Sequence, residues 1–508
     1  MYCPCCRLPT DKAAPRYPLC TSVLNLEDLG AGFPLYYQFK TFTIIVYGCM
    51  FLFVSIAGMA INGQEDKGSE WVDGETPSFV VDTSIGNHGS DPDNYTSTGV
   101  TVTVVLNFIF IFCIIIGSIV LRKLQNKVIN DIDEKNLTPS DFGVMATHLP
   151  LDKTPEEVKE WIIKTFKDRG DEHDLEVVYV NYAYDIKEIV STIRKLTRLQ
   201  QIKAYLNAYK QRQLKKEGIT EQEAEAREID LAPPPAKYCC CMKKVYPPIN
   251  VVEANIAKTE EELEKIKEEM DVNTEKDLYC GTAFIVLNRQ SHSDKVVTHF
   301  EVNLFRRALA FTVYNIFKCK NAKVDDRYWE GQRVFLERAA EPGDIYWENL
   351  SVTTLERVQK SFYTNLIALG CLLVAFGINL GLSLLKDSFD NDDGSSTSAT
   401  TVIRFISVMT SFVVVAINVV LGRVVRILSA YEKHETYSKY HLSVAVKLTS
   451  ALFINTGIIP LFVNFGRDNW FKSGGLMDDI FWNTFTISFI SPFVYLFNPV
   501  YFVKKIQI

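Results

Sequence analysis

The chain has 508 residues, of which 47% are hydrophobic and 23% charged, and its formal net charge is −7. These averages hide a split, because apolar residues are densest in six runs that contain no Asp, Glu, Lys or Arg: 41–61, 100–121, 361–385, 405–422, 448–466 and 480–503. A helix needs about 20 residues to cross roughly 30 Å of hydrocarbon. A buried helix in a water-soluble core could account for one such run but not for six, which excludes a soluble protein.

The N-terminal segment, residues 1–40, has no compact apolar stretch of the signal-peptide kind, so the first span itself is expected to direct insertion. Two spans follow within residues 41–121, separated by the 62–99 loop with one Lys against eight acids. Basic residues stand at the opposite ends of the spans: Arg122, Lys123 and Lys127, then Arg423 and Arg426, then Lys504 and Lys505. By the positive-inside rule these ends face the cytosol. The N-terminus and residues 122–360 are therefore expected to be cytosolic, and the 62–99, 386–404 and 467–479 segments external. Asn94, in an Asn-Tyr-Thr acceptor triplet of the acidic loop, is the expected glycosylation site. No cysteine falls in an outer loop, so no extracellular disulfide framework is expected.

Residues 122–360 are long enough for a domain of their own. Strand-like 142–149 leads to a helix whose N-cap is Thr154 and whose first position is Pro155. Strand-like 175–184 comes next, followed by a long helical stretch over 185–217, a Pro-rich break and a second charged helix. In that helix Val252, Ile256, Leu263, Ile266 and Met270 are spaced for a helical hairpin. A strand over 281–288 and a further helix close the pattern. Strand–helix–strand, a helical insertion, then strand–helix matches a split βαβ sandwich of the RRM or ferredoxin type. The 280–287 stretch keeps only Phe284 at a base-stacking position, whereas RNA modules stack bases on two or three aromatics. No nucleic-acid partner is expected.

The two cysteine clusters, CPCC near the start and Cys239, Cys240 and Cys241, lack a nearby His and a zinc spacing. Reduced thiols and S-palmitoylation both remain open for them, with Cys239, Cys240 and Cys241 the lipidation candidates. No resident metal or cofactor is expected. There is no phosphate-binding Gly-rich loop, zinc-protease motif or nucleophile elbow, which argues against an enzyme.

Residues 361–508 are read as a block of four spans. At about 100° per residue, polar residues align on single helix faces: Asn365, Asn379 and Ser383; Ser407, Ser411, Asn418 and Gly422; Ser450, Gly457 and Asn464; Thr484, Ser488, Ser491, Tyr495 and Asn498. Such faces suit a hydrated path, and equally suit ordinary helix–helix contacts in a membrane. The path-lining candidates are Asn379, Ser383, Ser411, Asn418, Ser450, Gly457, Asn464, Ser488, Ser491 and Tyr495.

The stretch EPGDIYWENL, residues 341–350, precedes this block. Its Pro resists helix continuation and its Trp, with an apolar ring and a polar N–H, suits a membrane interface. The stretch resembles a motif of the OSCA family of osmotically and mechanically gated, calcium-permeable cation channels, with Glu341, Pro342, Asp344, Trp347, Asn349 and Leu350 at the matching positions. Residues 142–154 and 281–288 are also similar to that family. The resemblance implies a membrane channel subunit whose permeant ions are cations, embedded among lipids of the plasma membrane and paired as a homodimer. Two departures stand out: the family carries a further N-terminal span, and its pore block continues beyond four spans. The expectation is accordingly a fragment, or a short member unable to close a pore alone. Residues 431–455 resemble a loop and span of the anoctamins, which keeps lipid scrambling or anion conduction open, as is a non-conducting scaffold. In fold class the chain is read as a polytopic α-helical membrane protein of six spans with an α+β RRM-like cytosolic domain carrying a helical insertion.

Overall fold

The computed structural model describes residues 32–64, 79–89, 98–135, 137–167, 175–220, 236–239, 242–244, 246–272, 278–300, 328–330, 332–392, 397–465 and 475–497, with a few single positions besides. In chain order the main elements are α1 (Gly32–Asn62), α2 (Thr98–Lys135), β1 (Gly143–Thr147), α3 (Pro155–Lys167), β2 (Val177–Tyr184), α4 (Lys187–Glu217), α5 (Ile249–Val272), β3 (Tyr279–Leu287), α6 (Gln290–Phe300), β4 (Phe335–Arg338), α7 (Thr354–Asp392), α8 (Thr397–Tyr431), α9 (Tyr437–Val463) and α10 (Leu476–Phe497). They group into two compact units. One comprises Met1–Leu137, Thr364–Leu428 and Val444–Ile508, and the other Thr138–Tyr363 with Ser429–Ser443.

Five helices among the described residues are long and apolar enough to cross a membrane: Gly32–Asn62, Thr98–Lys135, Thr354–Leu385, Phe405–Tyr431 and Tyr437–Val463. Their outer faces are bare of protein; Phe108 and Phe112 on α2 are each 68% exposed. An apolar surface of that extent is stable in lipid and not in water. The sequence reading expected six spans. The sixth run, 480–503, coincides with α10 as far as Phe497, and its remainder lies outside the described residues. Asn94 also lies outside them.

In the second unit, the sheet order β2-β3-β1-β4 is antiparallel throughout. Helices α3 and α6 each cross over between strands, and the α4–α5 pair is inserted between β2 and β3. One face of the sheet buries Val144, Ala146, Ala283, Ile285 and Leu336 against Val158, Ile162, Val296 and Phe300 of the two crossover helices. Thr154 caps α3 as expected: the Glu157 N–H donates to Thr154 Oγ1 at 3.3 Å, and the Thr154 N–H donates to Glu157 Oε2 at 2.8 Å. In the inserted hairpin, Val252 is fully buried and Thr259 is nearly so, on the same face as Ile256, Leu263, Ile266 and Met270. Lys195–Glu262 and Lys203–Glu253 ion pairs flank this seam. Strands Ala236–Cys239 and Met242–Lys244 pair antiparallel, which places Cys239 at a strand end. Its side chain, like Cys240 and Cys241, lies outside the described residues.

The sequence reading put all of 361–508 in one membrane block. The structure assigns Ser429–Ser443 instead to the unit that holds the sheet. The reason is the set of contacts these residues make with the 341–357 segment.

Candidate functional site

The 341–350 stretch is a strap of two short 3-10 turns, Pro342–Asp344 and Trp347–Asn349, joined by extended Ile345. Pro342 opens the first turn, where its missing N–H costs nothing. From Asp344 onward its residues meet several different neighbours. Ile345 pairs antiparallel with Thr436, and the Tyr346 N–H donates to the Glu435 carbonyl at 2.8 Å. Asp344 Oδ1 accepts from the Ser438 N–H at 3.0 Å, and Asn349 Nδ2 donates to the His434 carbonyl at 2.8 Å. The Tyr346 and Tyr437 rings stack with centroids 3.9 Å apart. On the other side, Glu348 pairs with Arg194 of α4, and Leu350 and Ile345 are buried with Ala183 beside Phe284. Glu341, at the strap's first position, is exposed.

The Trp347 indole, which the sequence reading suited to a membrane interface, also packs on Phe284 of β3 with centroids 5.5 Å apart and stays 40% exposed. The ring that the sequence singled out as a base-stacking remnant is thus covered by the chain's own strap.

Behind the strap, Arg357 in the first turn of α7 acts as a clamp on the α8–α9 connection. Its guanidinium donates to Glu435 Oε1 at 2.6 Å, to the Lys433 carbonyl at 3.1 Å and to the Val352 carbonyl at 3.1 Å. Lys439 reaches the second Glu435 oxygen at 2.7 Å. Burial would raise the Glu435 pKa, but the two cations and their hydrogen bonds outweigh it and hold the carboxyl down to about 2. Lys433 adopts φ +58, a left-handed conformation unusual for a side chain without local hydrogen-bonding capacity. Such strain persists only where surroundings over-determine it. One residue earlier, Glu432 is 1% exposed and accepts from Ser443 Oγ and pairs with His434 Nε2, each at 2.9 Å. Neither Arg357 nor Glu435 was nominated from sequence. Their partners lie some eighty positions away, beyond any local periodicity.

The helices of the first unit form a second polar cluster. On α7, Asn379 and Ser383 are buried, whereas Asn365, aligned with them by sequence, is exposed and Thr364 is buried in its place. On α8 the alignment is regular: Ser407, Ser411, Val414, Leu421 and Val425 are buried, with Asn418 partly so. Ser411 Oγ donates back to the Ser407 carbonyl at 3.2 Å. On α9 the structure departs from a uniform 100° turn. A π-helical segment, Ile454–Ile458, widens the helix locally, and the buried face runs through 451, 455, 459 and 463, joined by 460 and 464. Ser450, which precedes the π segment, and Gly457 within it are exposed, Asn464 is buried, and Asn455 occupies the inward position that the sequence stripe missed. On α10, Thr484 and Ser488 are exposed while Asn483 and Thr486 are buried; the side chains of Ser491 and Tyr495 lie outside the described residues.

Asn418 donates to Thr456 Oγ1 at 3.4 Å and accepts from Asn455 Nδ2 at 2.8 Å, which ties α8 to the π segment. Asn379 makes no hydrogen bond with either end of its amide. A buried amide left unmade costs about 1–3 kcal/mol. Ala375, Phe376 and Leu380 on the turns around Asn379 pack with Ile417, Ile454, Ile459 and Val463, so α7, α8 and α9 share one apolar cluster. No group of three or more His, Cys, Asp or Glu able to hold a metal occurs among the described residues.

Residues 141–349 match a family model described as "cytosolic domain of 10TM putative phosphate transporter". No curated protein matches the chain significantly. The matched span begins two residues before β1 and ends inside the strap, at Asn349. The five apolar helices flank it on both sides in sequence, as in an integral membrane protein whose central domain is similar to a cytosolic one.

Proposed function

We propose that the chain is a subunit of a mechanically or osmotically gated, calcium-permeable, non-selective cation channel, working in membrane transport through α7 to α10. In this reading the sheet unit is an RRM-like cytosolic domain, a sixth span completes the set, and two copies pair in the plasma membrane. The observation that carries it is the strap. It ties the entry to α7 and the α8–α9 connection to the same sheet through Asn349, Tyr346, Arg357 and Glu435. Tension that moves one of these three helices is then passed to the others through a polar network with a definite geometry.

Cations are favoured over the phosphate named in the family description. No Lys or Arg is buried among the described residues, whereas Asp478 and Asp479 at the start of α10 are. A phosphate path needs cationic or multiple N–H donors, and amides, hydroxyls and carboxylates suit cations better.

The reading is tested by stretch-evoked current together with a lipid-flip assay on cells expressing the chain. Asn379→Leu is expected to cut the current several-fold with surface amount unchanged, because its amide has no protein partner to lose. Asn107→Leu is the control; that amide only bonds back to the Thr103 carbonyl on an exposed face of α2. Equal loss in both variants, lipid flipping without current, or neither activity would each overturn the channel reading, the last in favour of a scaffold.

A further inference from the structure

The break in α9 leaves two oxygens of Asn455 without donors, beside two others that each accept one hydrogen bond. Across Ile454–Ile458 the backbone closes i→i+5 turns, with the Ile459 N–H donating to the Ile454 carbonyl, and Pro460 follows at once. Pro460 has no N–H, so the Asn455 carbonyl lacks the donor that the next i→i+5 turn would supply. The Asn455 side chain is fully buried. Its Nδ2 is committed to Asn418 Oδ1 at 2.8 Å, which turns Oδ1 away, and that Oδ1 has no partner. Thr456 Oγ1, held by Asn418 Nδ2, is the neighbouring oxygen on the same turn.

Four oxygens, from the Asn455 amide and carbonyl, Asn418 and Thr456, therefore lie within one helical turn and its facing residue. None carries a formal charge. Divalent ions such as Ca²⁺ are held by sets that include carboxylates, because their dehydration must be offset. Monovalent ions are held by neutral carbonyl and amide oxygens, commonly where a membrane helix is interrupted near its middle. We propose that the Asn418–Asn455–Thr456 cluster at the π segment of α9 binds a partly dehydrated monovalent cation, Na⁺ or K⁺. The role of such a site in conduction rests on the channel reading; its existence does not.

The test uses the full chain purified in nanodiscs, with the thermal unfolding midpoint followed against NaCl, KCl and choline chloride at constant ionic strength. The expected result is a saturable rise with Na⁺ or K⁺ that choline does not give. Thr456→Val is expected to raise the half-saturating concentration at least tenfold, and Asn455→Leu to abolish the effect. Asn455→Gln, which keeps the amide but displaces its oxygen, serves if the Leu variant does not fold and is expected to weaken the effect likewise. Equal responses to the three salts, or an unchanged half-saturation in the variants, would overturn the site and leave a cluster that holds water alone. Stretch-evoked current is read on the same variants. Current without a cation effect in the wild-type chain sinks the site and spares the channel reading; a cation effect without current does the reverse.

Discussion

Glu435 sits where burial and two cations oppose each other, and the cations win. Its folded pKa of about 2 lies below the ordinary 4.5, so pairing contributes fully above about pH 4.5 and is lost as the pH falls towards 2. That contribution is on the order of 3 kcal/mol at neutral pH. Glu435→Gln should lower stability at pH 7 and flatten the acid limb between pH 4.5 and 2, as read by thermal unfolding of the purified chain. A second expectation concerns Asn349. Truncation to Ala leaves the His434 carbonyl without its side-chain donor, at a cost of about 1–3 kcal/mol. Asp344 and Asn349 could be nominated from sequence because they belong to a contiguous motif. Glu435, Arg357 and Asn455 could not, since each acquires its role from a residue on another element.

At the scale of elements, local rules succeeded where an element's own chemistry decides its form. Thr154 and Pro155 mark the start of α3, and the 252–270 spacing marks the hairpin seam. They failed at α9, where the π segment inserts a wider turn and rotates the following face away from a uniform helix. The sequence carries only Gly457 and Pro460 as hints of this, and neither residue alone implies an i→i+5 turn. Gly281 is a position where β3 depends on glycine: its φ is +69, and a Cβ there would meet the Leu149 carbonyl oxygen at 3.1 Å. Gly281→Ala should therefore destabilise by about 1–3 kcal/mol, read as a lower unfolding midpoint with the secondary structure retained. Thr259→Val in the hairpin is expected to be nearly silent. The hydroxyl it removes only donates back to the Asn255 carbonyl within the same helix.

At the scale of the whole molecule, the orientation expected from charge would make Asn94 the glycan acceptor and would exclude Asn349. The structure adds an independent reason for the second: the Asn349 amide is buried and engaged with His434. Enzymatic deglycosylation should shift the mobility of the wild-type chain and leave Asn94→Gln unchanged; a glycan on Asn349 would invert the topology. The strap has a further consequence, for the order in which the molecule is made. Its partners at 432–438 are synthesised some ninety residues after it, with α7 and α8 between. A chain leaving the ribosome can fold β1 to β4 early, but the hydrogen bonds of Tyr346, Asn349 and Arg357 must wait until two membrane helices have been delivered to the bilayer. Nascent chains arrested before residue 429 should accordingly expose the strap to protease, and chains arrested well past residue 443 should protect it. The sheet unit thus completes its own set of contacts only after the α8–α9 connection has been made.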